Sequence, residues 1–179
     1  MRSYIYDEAP ACGDQRQPHD SGRAVPLSRL QQLGVLPHPD IELPRVDAIA
    51  EERGYACRDE ITVSRAGLGD AYEAKIKSFF AEHLHEDEEI RYILDGSGYF
   101  DVREVGDKEW IRIKVEKNDL IVLPAGVYHR FTLDDTDYIR AMRLFQQAPK
   151  WTPINRGEEA DNVASRKEYL ASLPAAITA

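Results

Sequence analysis

Between Glu89 and Phe145 the chain breaks into six short apolar-rich runs separated by turn residues, and no other feature of the sequence limits the fold as strongly. The pattern predicts strands over Glu89–Leu94, Tyr99–Arg103, Trp110–Val115, Leu120–Leu123, Val127–Leu133 and Tyr138–Phe145. Their punctuation is Asp95-Gly96-Ser97-Gly98, Val105-Gly106-Asp107, Lys117-Asn118-Asp119, Pro124-Ala125-Gly126 and Asp134-Asp135-Thr136. Connections this short suit antiparallel hairpins, because parallel neighbours need a crossover helix between them. The expected architecture is mainly β, a barrel or sandwich with flanking α-helices.

The flanks read as helical. Leu27, Leu30 and Leu33 share one helical face ahead of Gly34, which predicts a small peripheral helix; a second is expected at 47–53, closed by Gly54. Asp70 and Glu73 have the spacing of a capping box, followed by Tyr72, Ile76, Phe79 and Phe80 at helical intervals. A last helix, about 162–173, would pack Val163, Leu170 and Leu173 against the body. The chain has 179 residues, which suits one domain.

Charge and composition then remove several function classes. With 32 acidic and 23 basic residues the formal net charge is −9, and no basic cluster interrupts it, so nucleic acid is excluded as the expected partner. No apolar run approaches the roughly 20 residues of a membrane span. The N-terminal segment MRSYIYDEAPACGDQRQPHD carries acids and prolines where a signal peptide would be apolar, so a soluble intracellular chain is expected. Cys12 and Cys57 lack the spacing of a zinc knuckle or redox pair and are read as reduced thiols.

Chemistry concentrates in AEHLHEDEEIRYILDG, residues 81–96. In extended chain His83 and His85 project to one side, whereas on a helix they would diverge by about 200°. Glu89 joins that side if the extended register persists through Glu86, Asp87 and Glu88, which are themselves read as a solvated turn. Two imidazoles and a carboxylate then converge, the ligand set of non-haem iron sites with open positions. In LPAGVYHRF, residues 123–131, a turn delivers a strand whose inward face would be His129, Phe131 and Leu133, so His129 supplies a fourth ligand. The chain has only five histidines; the other two, His19 and His38, lie in Pro-rich stretches and are expected at the surface. Alternation from Glu89 places Arg91 and Ile93 on the metal side and Ile90, Tyr92 and Leu94 on the other. A guanidinium buried beside a metal needs an anion, which makes Arg91 the candidate substrate-binding residue. Phe131 would give an apolar wall.

These residues match a known pattern. His83-x-His85-x-x-x-Glu89 followed by Gly96 resembles the first cupin motif, and Pro124-x-Gly126-x-x-His129 resembles the second. More narrowly, EHLHEDEEIRYILDGSGYFDVR, LPAGVYHRF, AMRLF followed by WTPINR, and the N-terminal YDEAP resemble the acireductone dioxygenase family over nearly the whole chain. The resemblance implies a single cupin domain over 1–179, built as a double-stranded β-helix (jelly-roll) barrel. Residues 1–82 would be an N-terminal helical and strand extension, 83–145 the metal-binding core, and 146–179 a C-terminal extension. It implies one Fe(II) or Ni(II) per chain held by His83, His85, Glu89 and His129. Its small-molecule substrates would be O2 and the acireductone 1,2-dihydroxy-5-(methylthio)pent-1-en-3-one, an intermediate of methionine salvage. Iron would give 4-methylthio-2-oxobutanoate and formate; nickel would give 3-methylthiopropanoate, formate and carbon monoxide. Arg91 would hold substrate oxygen charge, Phe131 and Phe79 would line the methylthio end, and Glu89 would serve as the base. A monomer is expected, cytoplasmic and, in a eukaryote, also nuclear. Two positions depart from the general cupin pattern: Asn118 stands where the second motif opens with Gly, and Leu133 where it closes with Asn. Asn tolerates positive φ, so the turn is expected to survive. The rival readings are another metal-dependent cupin enzyme and a metal-stabilised binding module without turnover.

Overall fold

The computed structural model describes residues 1–106, 108–147 and 152–178, so the expected roles of Asp107 in a turn and Trp151 in WTPINR lie outside the described residues. In chain order the elements are β1 (Arg2–Tyr6), β2 (Asp20–Ala24), α1 (Leu27–Gln32), β3 (Leu36–His38), α2 (Leu43–Arg53), β4 (Cys57–Ser64), α3 (Arg65–Leu68), α4 (Tyr72–Phe79), β5 (His83–Leu84), β6 (Glu89–Arg103), β7 (Trp110–Glu116), β8 (Leu120–Leu123), β9 (His129–Leu133), β10 (Tyr138–Phe145), β11 (Ile154–Asn155), α5 (Glu158–Asn162), α6 (Ala164–Ser172) and α7 (Ala175–Thr178). Every strand pairing among the described residues is antiparallel. The chain is thus mainly β with flanking helices, as the turn spacing predicts.

Two sheets share one long strand. The first half of β6 lies between β8 and β10 in the order β4-β10-β6-β8-β3; the second half lies between β7 and β9 in the order β11-β5-β9-β6-β7-β1-β2. The sequence predicts a break at Asp95–Gly98, and the structure corrects this: the strand is continuous and changes sheets there. It can do so because the register against β10 slips by one residue after Ile93, leaving Leu94 as the extra residue of a bulge. Gly96 then takes φ +73°, and a Cβ there would sit 2.4 Å from the Tyr138 carbonyl oxygen. Only glycine fits. Asn118 does adopt positive φ, 72°, in the turn between β7 and β8.

The core lies between the sheets, with Ile93, Phe100, Ile113, Ile121, Leu123 and Leu133 almost fully buried. Leu133 is core, in keeping with its apolar departure from the motif. On the outer face of the first sheet, Ile90, Tyr92, Leu120, Val122, Met142 and Leu144 pack beneath Val46, Ile49 and Ala50 of α2. That helix starts earlier than its periodicity predicts, because Pro44 suits the first turn, and ends where Gly54 turns left-handed at φ 71°. Leu30 and Leu33 are completely buried in the main core, so α1 is a structural helix and not a peripheral one.

Several local expectations are corrected. Asp70 does not cap α4: a single turn, Gly69–Ala71, precedes the helix, and Glu73 pairs instead with Arg65 at 2.8 Å. The last helix is broken at Val163 into α5 and α6, since that residue is extended at ψ 150°. β9 begins at His129 and not at Val127. Residues 1–82 supply four strands, of which the long β4 pairs along the whole of β10. No helix among the described residues is long and apolar enough to cross a membrane.

Candidate metal centre

β5 and β9 run side by side with His83 and His129 as direct partners, while β6 starts at Glu89 against β8. Between them the turn 85–88 brings His85 back, fixed by the Gly126 N–H donating to the His85 carbonyl at 2.9 Å. Gly126 has φ +78°, and a Cβ there would collide with the Ser165 backbone at 2.3 Å, so the Pro-x-Gly-x-x-His spacing reflects a packing requirement as well as a turn. Leu84 points the other way, packing with Tyr128 and Ala160. The alternation expected from the sequence holds in β5 and again from Glu89 to Ile93, but the extended register does not persist through 86–88: the chain bends there, and the turn, not parity, brings His85 and Glu89 together.

The four predicted ligands meet. One donor atom from each of His83, His85, Glu89 and His129 lies within 4.8 Å of all the others. The Nε2 atoms of His85 and His129 stand 3.1 and 3.2 Å from the same oxygen, Oε2 of Glu89. The Nδ1 of His83 is 2.7 Å from the Ala81 carbonyl and that of His129 is 3.0 Å from the Val127 carbonyl. A ring nitrogen that donates to a carbonyl fixes the tautomer and leaves Nε2 as the lone-pair ligand. Three convergent imidazoles and a carboxylate fit a borderline divalent transition metal far better than calcium or magnesium, which take oxygen.

Electrostatics agrees with a preformed cation site. Burial alone would raise the Glu89 carboxyl, but Arg91 beside it and the two histidine contacts hold it well below the usual carboxylate range. Burial first, and His129 next, pull the His83 imidazole down to about 4. A metal ligand must be a neutral imidazole, and this site keeps one. The same shift predicts a pH effect on the metal-free chain. An unfolded chain protonates His83 near 6.5 while the folded one resists to about 4, so the stabilising term is complete above 6.5 and lost as pH falls to about 4. The loss is at most about 3 kcal/mol. Urea unfolding of chelator-treated protein at pH 7 and pH 4 measures it, and His83→Asn should flatten that part of the profile.

Against His83, His85 and Glu89 lies a cavity of about 370 Å³. Arg91 lines it, half-buried, with Nη2 3.3 Å from Glu89 Oε1 and Nη1 donating to the Ile90 carbonyl at 3.0 Å. Phe79 and Phe131 also line it and meet edge to face at 6.3 Å. All three residues predicted for substrate thus reach the same space as the ligands.

Other residues escaped the sequence. Arg143, the direct cross-strand partner of Arg91, lines the cavity and is held bidentate by Asp59 at 2.7 and 2.8 Å. β11 lies along β5 and brings Pro153 and Asn155 to the cavity. Glu88 is no free surface acid: Arg53 and Tyr55 donate to it at 2.6 and 2.8 Å, and it lines the cavity. No periodicity links such distant residues. His19 is corrected from surface to buried, because its ring nitrogens meet the Asp7 and Asp14 carbonyls at 2.7 and 2.8 Å and its ring stacks on Tyr6. His38 is half-buried in β3.

Comparison with known proteins gives the same answer. The ARD/ARD' family model matches residues 2–153. The acireductone dioxygenase of Emericella nidulans is 62% identical over 175 residues, covering 98% of this chain and 97% of its own. That of Neurospora crassa is 60% identical, covering 97% and 96%. A solved acireductone dioxygenase from Bacillus anthracis, with a cadmium ion in its active centre, is 23% identical, covers 86% of this chain and 96% of its own, and superposes with a TM-score of 0.64, a likeness of fold. With its cupin barrel, its three histidines and glutamate around one point, and relatives matched end to end, this chain belongs to the ARD/ARD' family of acireductone dioxygenases.

Proposed function

We propose that the chain oxidises 1,2-dihydroxy-5-(methylthio)pent-1-en-3-one with O2 in methionine salvage, using one Fe(II) or Ni(II) held by His83, His85, Glu89 and His129. The observation that carries this reading is a cavity that opens on His83, His85 and Glu89 and is lined both by the cations Arg91 and Arg143 and by the apolar Phe79, Phe131, Phe100 and Ile139. An enediol with a thioether tail calls for both kinds of wall. A metal held there would supply Lewis-acid stabilisation of the substrate's negative charge and access to O2. Arg91 neutralises the developing enediolate charge from a half-buried position in the cavity wall, where a fixed cation acts more strongly than in bulk water. Glu89 Oε1, facing Arg91 and away from the histidines, is the oxygen placed to take a substrate proton. Phe79 and Phe131 hold the methylthio end and keep water from it.

We place the whole of 1–179 in one domain, acting as a monomer in the cytoplasm and, as the fungal relatives make relevant, also in the nucleus, with no nucleic-acid or membrane partner. The test of function is oxygen uptake by Fe(II)-loaded protein given the acireductone. Full metal occupancy with no oxygen consumed would instead favour a binding module. The Arg91 role has its own check: Arg91→Lys keeps charge and loses the planar fork, so turnover should fall by about 100-fold with metal content unchanged. Normal kinetics in Arg91→Ala would remove Arg91 from the substrate.

A further inference from the structure

The cavity floor is laid in rows across β4, β10 and β6. Register places Asp59, Arg143 and Arg91 in one row, Ile61, Ala141 and Ile93 in the next, and Val63, Ile139 and Gly96 in the third. Alternation turns Ile61, Val63, Ile93, Ile139, Ala141 and Arg143 toward the cavity, and all six line it. Met142 and Leu144 of the same strand face α2 instead. The first row is charged and adjoins Glu89; the second and third are apolar. The floor therefore has a direction, from the ligands outward into hydrocarbon.

One side chain in the apolar rows is out of scale. Ala141 sits between Ile61 and Ile93 across the sheet and between Ile139 and Arg143 along the strand, so a methyl group is ringed by four larger side chains. It is 5% exposed, and Phe79, Phe100 and Phe131 line the same cavity and belong to the same apolar cluster. Alanine fills less of the floor than any of the four side chains around it, one step beyond the charged row. A linear tail whose polar head sat near Glu89 and Arg91 would meet Ala141 next along the floor.

We propose that Ala141 is the specificity-determining residue for tail length, setting how long an unbranched apolar substituent the cavity accepts. This rests on the reading that an apolar tail points away from the four ligands. Buried methylenes each strengthen binding by about four-fold while there is space for them, and adding carbon to a filled core is penalised. Substitution of Ala141 should therefore move the length at which the gain stops, not the gain per carbon.

The experiment uses Ni(II)-loaded full-length protein and straight-chain alkyl hydroxamic acids of two to eight carbons, whose heads chelate the metal and whose tails differ by one methylene. Calorimetry on the unsubstituted chain should show Kd falling about four-fold per carbon up to a break. In Ala141→Leu the break should come roughly two carbons earlier, the reach of the added Cγ and Cδ, and in Ala141→Val roughly one. Ala141→Val also serves if the leucine variant fails to fold. A break at the same length in all three proteins overturns the proposal, as does a series with no break in the unsubstituted chain. Lack of oxygen uptake with the acireductone would sink the proposed substrate while leaving the shift of the break intact, so the two failures are distinguishable.

Discussion

Replacing His129 by alanine is expected to cost the protein its metal, with affinity falling more than about 100-fold and oxygenase activity lost with it. Removing the outer partners of a metal ligand already costs about 10- to 100-fold, and a lost ligand exceeds that. His129 has particular weight because it is the only ligand from outside the 83–89 segment. It ties β9 to β5 and shares Glu89 Oε2 with His85. Without it, one short segment would have to hold the ion by itself. His129→Gln keeps most of the volume and separates ligand loss from a packing defect. Metal content after dialysis and oxygen uptake are the readouts; full occupancy with full activity in either variant would take His129 out of the centre.

Asp101→Ala should be the most damaging change away from the metal, lowering stability by about 3–5 kcal/mol. Asp101 is 1% exposed, on the outer face of the second sheet, and holds two guanidinium groups. Its Oδ1 accepts from Arg112 Nε at 2.7 Å, and its Oδ2 accepts from Arg112 Nη2 at 2.9 Å and Arg130 Nε at 2.8 Å. Arg112 has no exposed surface, so removing the carboxylate leaves a buried charge without a counter-ion. Arg112 also donates to the Gln15 and Gln17 carbonyls at 3.1 and 2.7 Å, and both arginines lie over the Tyr6 ring. The exposed pair Arg23–Glu109 is the internal comparison: Glu109→Gln should cost far less, because solvent screens that pair. Urea denaturation of the two variants measures both. Equal, small losses would show that the buried carboxylate contributes no more than a surface one.

Much of the site was legible because it depends on parity. Period-two alternation puts Glu89, Arg91 and Ile93 on one side of β6, a short turn returns the His83–His85 segment to them, and the barrel has only to supply a strand bearing His129. What was not legible depends on distance in sequence. Arg143 and Asp59 are 84 residues apart and meet through strand pairing that hydrophobic pattern does not specify. β4, CRDEITVS, alternates too weakly to announce itself, since most of its residues stay partly exposed beside β10. The glycines misled for a physical reason: Gly96 and Gly98 read as a turn, yet they allow one strand to change sheets where neighbouring backbones come too close for a side chain. The acid run 86–88 likewise hid Glu88, whose partners Arg53 and Tyr55 lie more than 30 residues earlier.

The central claim is that one four-ligand centre in this cavity oxidises an acireductone, with the metal choosing the products. A six-coordinate metal held by four protein ligands would keep two positions open, and the substrate carries three neighbouring oxygens, so different metals could favour different pairs of them. The direct measurement is to strip the protein, reload separate samples with Fe(II) and Ni(II), supply the acireductone and O2, and assay 4-methylthio-2-oxobutanoate, 3-methylthiopropanoate and carbon monoxide. The keto acid from the iron sample, and carbon monoxide with 3-methylthiopropanoate from the nickel sample, are the expected result. Identical products from both samples would contradict the choice by metal, and no oxygen uptake in either would contradict the activity itself.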